Sequence, residues 1–125
     1  MVDFVLEQNL APLQMPLRRE GDSAFLIAEQ EIGLPINASD AAIFRRVGEQ
    51  NEALGIDRIV ITRDNGFIGS MGTRPVKLIV LRDNTHRFRF FAMDLGKLII
   101  EIIARAGAMT AHGHTLEHID CTRFY

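Results

Sequence analysis

The sequence predicts a single α+β domain in which two to three helices pack on one face of an antiparallel sheet of consecutive hairpins. The chain has 125 residues, enough for one hydrophobic core and too few for two. After residue 57, strand-like apolar runs alternate with turn signals, and residues 95–106 carry apolar side chains at helical spacing. We therefore expect one domain over residues 1–125, built on a four-stranded meander to which edge strands can add.

The composition excludes several classes of protein. The chain is 47% hydrophobic and 24% charged, as is typical of globular domains, and its net charge of -2 provides no overall positive field for nucleic acid or anionic lipid. The longest apolar stretch, Leu98–Ile103, is far shorter than the roughly 20 residues that span a bilayer. Cys121 is the only cysteine, which favours a reducing compartment. We expect a cytoplasmic protein without a membrane segment.

The N-terminal segment is the least regular part of the sequence. Pro12 and Pro16 would confine a strand to an edge, so residues 1–22 are predicted to form an irregular arm or an edge strand. A short helix over residues 24–32 is favoured, because a serine precedes it and a glycine follows it. The competing interpretation is a strand over residues 25–28, since a short apolar run is not assigned by periodicity alone.

From Asn37 onward the sequence predicts its helices and strands more clearly. Asn37 or Ser39 can cap a helix that ends at Gly55. The runs RIVIT and FIGSM then flank Asn65-Gly66, a dipeptide typical of tight hairpin turns. A second hairpin is predicted to join VKLIVL to RFRFFAM, which completes the meander.

The last helix and the sheet together suggest a partner. Asp94 is the expected cap of a helix over Leu95–Ala106, and Gly107 is its expected end. The strand VKLIVL is apolar on both faces. With helices on one face only, the other face would be covered by a second copy of the chain, another protein or a small ligand, so we expect a homo-oligomer.

The C-terminal segment holds the one cluster of reactive side chains. His112, His114, His118 and Cys121 lie within ten residues, and they are ligands of the kind that bind zinc. On a helix His114, His118 and Cys121 would share a face, whereas on a strand the three histidines would do so. A Cys121 nucleophile assisted by His118 is an alternative. The simplest interpretation is an edge strand with solvated or hydrogen-bonded histidines.

Two sets of arginines could contact nucleic acid. Arg45 and Arg46 lie on the helix predicted before Gly55, which with the following hairpin could form a winged helix. Arg87 and Arg89 alternate with aromatic residues in a predicted strand. Acidic residues follow the helix arginines, and the strand places arginines and most aromatics on opposite faces, so nucleic acid is not the favoured partner.

The sequence therefore favours a small, cytoplasmic, non-enzymatic binding or interaction protein that acts through an oligomeric or partner-facing sheet surface. No cofactor is expected in this interpretation. A metal-dependent or Cys/His enzyme that uses the C-terminal cluster, with a zinc-type ion, is one alternative. A winged-helix-like nucleic-acid-binding regulator is the other.

Overall fold

A computed structural model describes residues 2–70, 76–83 and 88–125. Within these residues five strands form one sheet in the order β2-β1-β3-β4-β5, and every neighbouring pair is parallel. The strands are β1 (Asp3–Leu6), β2 (Ser23–Leu26), β3 (Arg58–Thr62), β4 (Lys77–Arg82) and β5 (Leu116–Asp120).

Helices cover both faces of this sheet. The α-helices are α1 (Gln14–Arg19), α2 (Asp40–Leu54) and α3 (Leu95–His112). Short 3-10 segments lie at Gln8–Leu13, Asn65–Ser70, Phe90–Ala92 and Cys121–Phe124. One core lies between the sheet and α1 and α3, and a second core lies between the sheet, α2 and the 3-10 segment after β3. The result is a three-layer arrangement with a parallel sheet in the middle.

The central strands show why the sheet is covered twice. All five residues of β3 are buried. Ile59 and Ile61 enter the core on the α3 side, whereas Val60 enters the core on the α2 side. Strands with apolar residues on both faces are characteristic of parallel sheets. The predicted uncovered sheet face is therefore absent among the described residues, because α2 and its neighbours occupy it.

The predicted antiparallel meander is wrong. β3 and β4 pair in parallel, with Val60 opposite Leu78, so Asn65-Gly66 does not close a hairpin between them. Instead the Asp64 side chain accepts a hydrogen bond from the Gly66 N–H at 2.8 Å, where the 3-10 segment begins. In the predicted second hairpin, residues 84–87 lie outside the described residues, and Phe90–Ala92 form a 3-10 turn rather than a strand.

The N-terminal segment also differs from the prediction. β1 has strand neighbours on both sides, so the first 22 residues contain an inner strand instead of an arm or an edge strand. The helix predicted over residues 24–32 is wrong, because Ser23–Leu26 form β2 in register with β1. The two prolines lie in the 3-10 segment and in α1, which follow β1.

The two long helices are confirmed in place. Ser39 caps α2 by accepting a hydrogen bond from the Ala42 N–H at 3.2 Å, and Gly55 ends it with a left-handed φ of 63°. Asp94 caps α3 as predicted, but the helix continues through Gly107 and ends at Gly113. No helix of the described residues is long and apolar enough to cross a membrane.

Candidate ligand site at the carboxyl end of the sheet

The strand order reverses between β1 and β3, and this point is where doubly wound sheets bind their ligands. The chain leaves β1 toward β2 on one side, and all later strands lie on the other side. Connections that diverge in this way leave a crevice beyond the carboxyl ends of the two strands. A crevice of about 210 Å³ opens beside this point, at the carboxyl ends of β1 and β2, and it is lined by Glu7, Gln8, Asn9, Ile27, Ile36, Ala38 and Ile43.

Glu7 is the first residue after β1, and its carboxyl lies near the end of β3. The Thr62 hydroxyl and the Arg63 backbone N–H are close enough to lower its pKa. Thr62 is itself fixed, since its hydroxyl oxygen accepts a hydrogen bond from the Asp64 N–H at 3.0 Å. Glu7 Oε2 is buried and has no hydrogen-bond partner in the described part of the chain, and the same holds for Gln8 Oε1. The crevice therefore carries acceptor groups that need a donor.

Three carboxyl groups set the electrostatics of this end of the sheet. Burial raises the pKa of Glu7, and the negative charges of Asp40 and Asp64 raise it further, although the neighbouring Thr62 hydroxyl and Arg63 N–H oppose the change. Burial and Asp64 also raise the pKa of Asp40. Asp40 and Asp64 thus make ionisation of Glu7 less favourable, and Asp64 does the same to Asp40. A positive or hydrogen-bond-donating group would relieve this repulsion.

The opposite wall of the crevice is aliphatic. Ile27 and Ile43 belong to the core on the α2 side, which fixes their positions. Ile36 is 67% exposed, in the loop that leads to α2. Because Ser39 caps α2 three residues later, the helix starts at the edge of the crevice. A compact ligand could place a polar group at Glu7 and an apolar part against this wall.

The C-terminal histidines and Cys121 are not brought together. His112 ends α3, and its ring lies 5.7 Å from that of His114. In β5, Ile119 enters the core on the α3 side, so the neighbouring His118 points to the opposite face. Cys121 lies in the α3-side core. Among the described residues no group of three potential ligands could hold a metal ion, and the metal hypothesis stays a prediction without geometric support.

Cys121 has the environment of a structural cysteine. Its side chain is fully buried, and Sγ approaches the Ile119 carbonyl oxygen at 3.8 Å. Burial, together with the negative charges of Asp83 and Asp120, raises the pKa of Cys121 to about 12. A nucleophilic cysteine needs the opposite shift. His118 lies on the other sheet face and is not placed to assist it.

The arginines predicted to contact nucleic acid do not form one surface. Arg45 is exposed on α2, and Arg46 donates from Nε to the Ile32 carbonyl oxygen at 2.8 Å. Arg89 adjoins Phe90, which packs against the core on the other side of the sheet. Arg87 lies outside the described residues. Within the described chain, these cations are divided between two faces.

Sequence reasoning did not identify Glu7, Asp40 and Asp64 as functional candidates. Glu7 follows the buried run FVL, and Asp64 follows the buried run RIVIT by one residue. A polar residue directly after a buried strand indicates a ligand site only when the strands are parallel, because their carboxyl ends then meet at one edge of the sheet. The predicted antiparallel hairpins gave no reason to interpret these residues in that way.

Comparison with known proteins finds no matching family model, no matching curated protein and no matching solved structure. The site is therefore interpreted from its own geometry.

Proposed function

We propose that this chain is a small-ligand-binding protein of the cytoplasm whose ligand directs a positively charged or hydrogen-bond-donating group at Glu7 in the crevice. The observation that supports this proposal is the buried, unpartnered Oε2 of Glu7. Leaving such an acceptor unsatisfied costs about 1–3 kcal/mol, and a ligand that donates to it would remove this cost. The single, buried cysteine is compatible with a reducing compartment.

The crevice limits the size and charge of the ligand. Its volume of about 210 Å³ equals about seven water molecules at about 30 Å³ each. Glu7, Asp40 and Asp64 would repel an anion, and the aliphatic wall favours a ligand with a short hydrocarbon part. A compact alkylammonium or alkylguanidinium compound meets these requirements.

Binding without catalysis is the function that the crevice supports best. Its lining contains a carboxyl, two amides and aliphatic side chains, without a serine, cysteine or histidine to pair with Glu7. A general base acts on a reacting group together with an acid or a nucleophile, and the described lining residues provide neither. Glu7 is therefore proposed as the anchor of the ligand.

The proposal is tested by NMR titration of the ¹⁵N-labelled protein at pH 7. The probes are n-butylammonium and n-butylguanidinium, with 1-butanol and butyrate as matched neutral and anionic compounds. We expect the two cations to shift the amide signals of residues 7–9 and 36–43, and we expect butyrate to leave them unchanged. Glu7→Gln should weaken binding of the cations by about tenfold or more, since it removes the anchoring charge.

A matched control separates the anchor from general surface charge. Glu49→Gln removes an exposed carboxyl from α2 and should leave the titration unchanged. Equal shifts with 1-butanol and the two cations would contradict the proposal, as would unchanged cation binding by Glu7→Gln. The amide spectrum of each variant verifies its fold in the same experiment.

A further inference from the structure

The outward face of α3 is unusually apolar for a helix that faces water. Leu98, Ile102 and Met109 bury the inner face against the sheet. The outer face follows the spacing i, i+4, i+7, i+8, i+11, i+15, and we call it the α3 stripe: Gly96, Ile100, Ile103, Ala104, Gly107 and Ala111. Ile103 lies at the inner edge of the stripe, where it is partly buried against the core on the α3 side. Ile100 is 67% exposed. A helix in a globular protein normally carries charged and polar residues at such positions.

The charges of α3 lie beside the stripe instead of on it. Glu101 and Arg105 pair at 2.8 Å, and they also pair with Arg123 and Glu117 near β5. Among the described charged residues of α3, Lys97 lies nearest to the stripe, in the first turn of the helix, and it pairs with Asp94 at 4.0 Å. From Leu98 to Ala111 the outer face therefore presents a neutral, apolar surface.

No contact in the described part of the chain explains a glycine at position 107. It lies inside α3, where a glycine destabilises the helix relative to alanine. A Cβ atom added at Gly107 would meet nothing within 4 Å, so no contact in the described chain requires its small size. A second helix that approaches closely at this position would require it.

We propose that α3 forms the interface of a homodimer in which two copies of the helix pack antiparallel about a twofold axis between Ile103 and Ala104. In this arrangement a residue of one copy faces a residue of the second copy when their two residue numbers add up to 207. Ile100 then faces Gly107 of the second copy, and Ile103 faces Ala104. Gly96 faces Ala111. All six members of the α3 stripe are matched, and both isoleucines meet small residues, as a self-complementary twofold interface requires.

The charges support the antiparallel orientation. Antiparallel packing places the positive amino end of each helix beside the negative carboxyl end of the other. Lys97 would lie beside the last turn of the second helix, where carbonyl oxygens lack intrahelical partners. A parallel pair would instead bring both Lys97 side chains together.

The interface is small, and it is separate from the crevice. The α3 stripe runs over sixteen residues, from Gly96 to Ala111, and is about 22 Å long at 1.5 Å per residue. One pair of helices lies at the low end of specific interfaces, so we expect dissociation constants on the order of micromolar. The aliphatic wall of the crevice, formed in part by Ile27, Ala38 and Ile43, belongs to the α2 side, on the other face of the sheet. The proposed dimer is independent of the proposed ligand binding, so an experiment can refute one proposal without refuting the other.

Sedimentation velocity over a range from about 5 to about 500 µM tests the dimer. We expect the natural protein to change from monomer to dimer across this range, and Ile100→Glu to stay monomeric. Leu54→Glu is the matched control, since Leu54 is 59% exposed and lies at the end of α2 on the other face. A natural protein that stays monomeric at the highest concentration would overturn the proposal, as would a dimer that persists in Ile100→Glu.

A size swap tests the facing residues. A Cβ atom at Gly107 meets nothing within 4 Å in the described chain, so Gly107→Leu should fold, and it should abolish the dimer because the leucine would collide with Ile100 of the second copy. The double variant Ile100→Ala/Gly107→Leu restores one large and one small residue at this contact, so the dimer should return. A dimer unaffected by Gly107→Leu would contradict the close approach.

Cross-linking tests the orientation. Cys121 is buried, so a single cysteine introduced at Ala104 or Ala111 is the one accessible thiol. With a bismaleimide shorter than about 10 Å, Ala104→Cys should give a covalent dimer because it lies beside the axis. The two copies of Ala111→Cys would be about 22 Å apart along the helices and should not react with each other. Cross-linking through Ala111→Cys would overturn the antiparallel arrangement.

Discussion

Cys121 should be nearly inert toward alkylating reagents in the folded protein. The fold raises its pKa from 9.0 to about 12, which lowers the thiolate fraction at pH 7 by a factor of about 10³, or 1000. The thiolate is the reactive form. Because the side chain is also fully buried, the rate of reaction with iodoacetamide should be lower still, and modification should proceed through unfolding.

Mass spectrometry of the carbamidomethylated protein measures this rate. The reference is an exposed thiol, Glu49→Cys in a Cys121→Ala background, and the second comparison is Cys121 in concentrated guanidinium chloride. We expect native Cys121 to react at least about 1000-fold more slowly than either. His118→Ala should leave the rate unchanged, since His118 lies on the other sheet face. A native rate within about tenfold of the reference would refute this reasoning and would restore Cys121 as a candidate nucleophile.

Three further predictions address the site, a helix end and the metal hypothesis. Because the pKa of Glu7 is raised in the folded state, its ionised form destabilises the fold, so Glu7→Gln should increase the free energy of unfolding at pH 7. Urea titrations should show this gain disappearing below about pH 4.5, where the carboxyl is protonated in both states. Ser39→Ala should lower the free energy of unfolding by about 1 kcal/mol, because α2 loses its cap, whereas the same change at Ser23, in β2, removes no helix cap. Protein purified without a metal column should contain less than about 0.1 equivalent of zinc by elemental analysis; a full equivalent would contradict this expectation, and its loss in His114→Ala would assign it to the C-terminal histidines.

The helices could be predicted from the sequence because their ends are marked locally. Ser39 and Asp94 each accept a hydrogen bond from the N–H three residues later, and Gly55 adopts the left-handed conformation that ends α2. These interactions lie within one turn of the chain, so residue type and spacing are sufficient. The predicted end of α3 at Gly107 is wrong because one interior glycine costs less free energy than the burial of Met109, two residues later, gains.

The direction of the strands could not be read in the same way. The two-sided burial of β3 and β4 is typical of parallel strands, but no α-helix lies between Thr62 and Lys77 in the described part of the chain to reveal a crossover. Asn65-Gly66 therefore indicated a hairpin. The decisive interactions are long-range, since β1 pairs with β3 across more than fifty residues. Local signals do not report such pairing.

This error also concealed the candidate site. Glu7 and Asp64 are far apart in the sequence, and only parallel strands bring the ends of β1 and β3 to the same edge. The C-terminal histidines are close in sequence, yet His118 and Cys121 point to opposite faces of the sheet. Strand direction, and not closeness in sequence, determines which side chains meet.

The inner strand β1 is the shortest physical connection between the crevice and the proposed dimer. Val5 packs in the core on the α2 side, whereas Phe4 and Leu6 pack in the core that holds α3. Coupling between the two sites would require this strand to have two arrangements, but it is buried and paired on both sides. We therefore expect independence: Ile100→Glu should abolish the dimer and leave the n-butylguanidinium titration at residues 7–9 unchanged. A changed affinity in that variant would show that β1 transmits dimerisation to the ligand site.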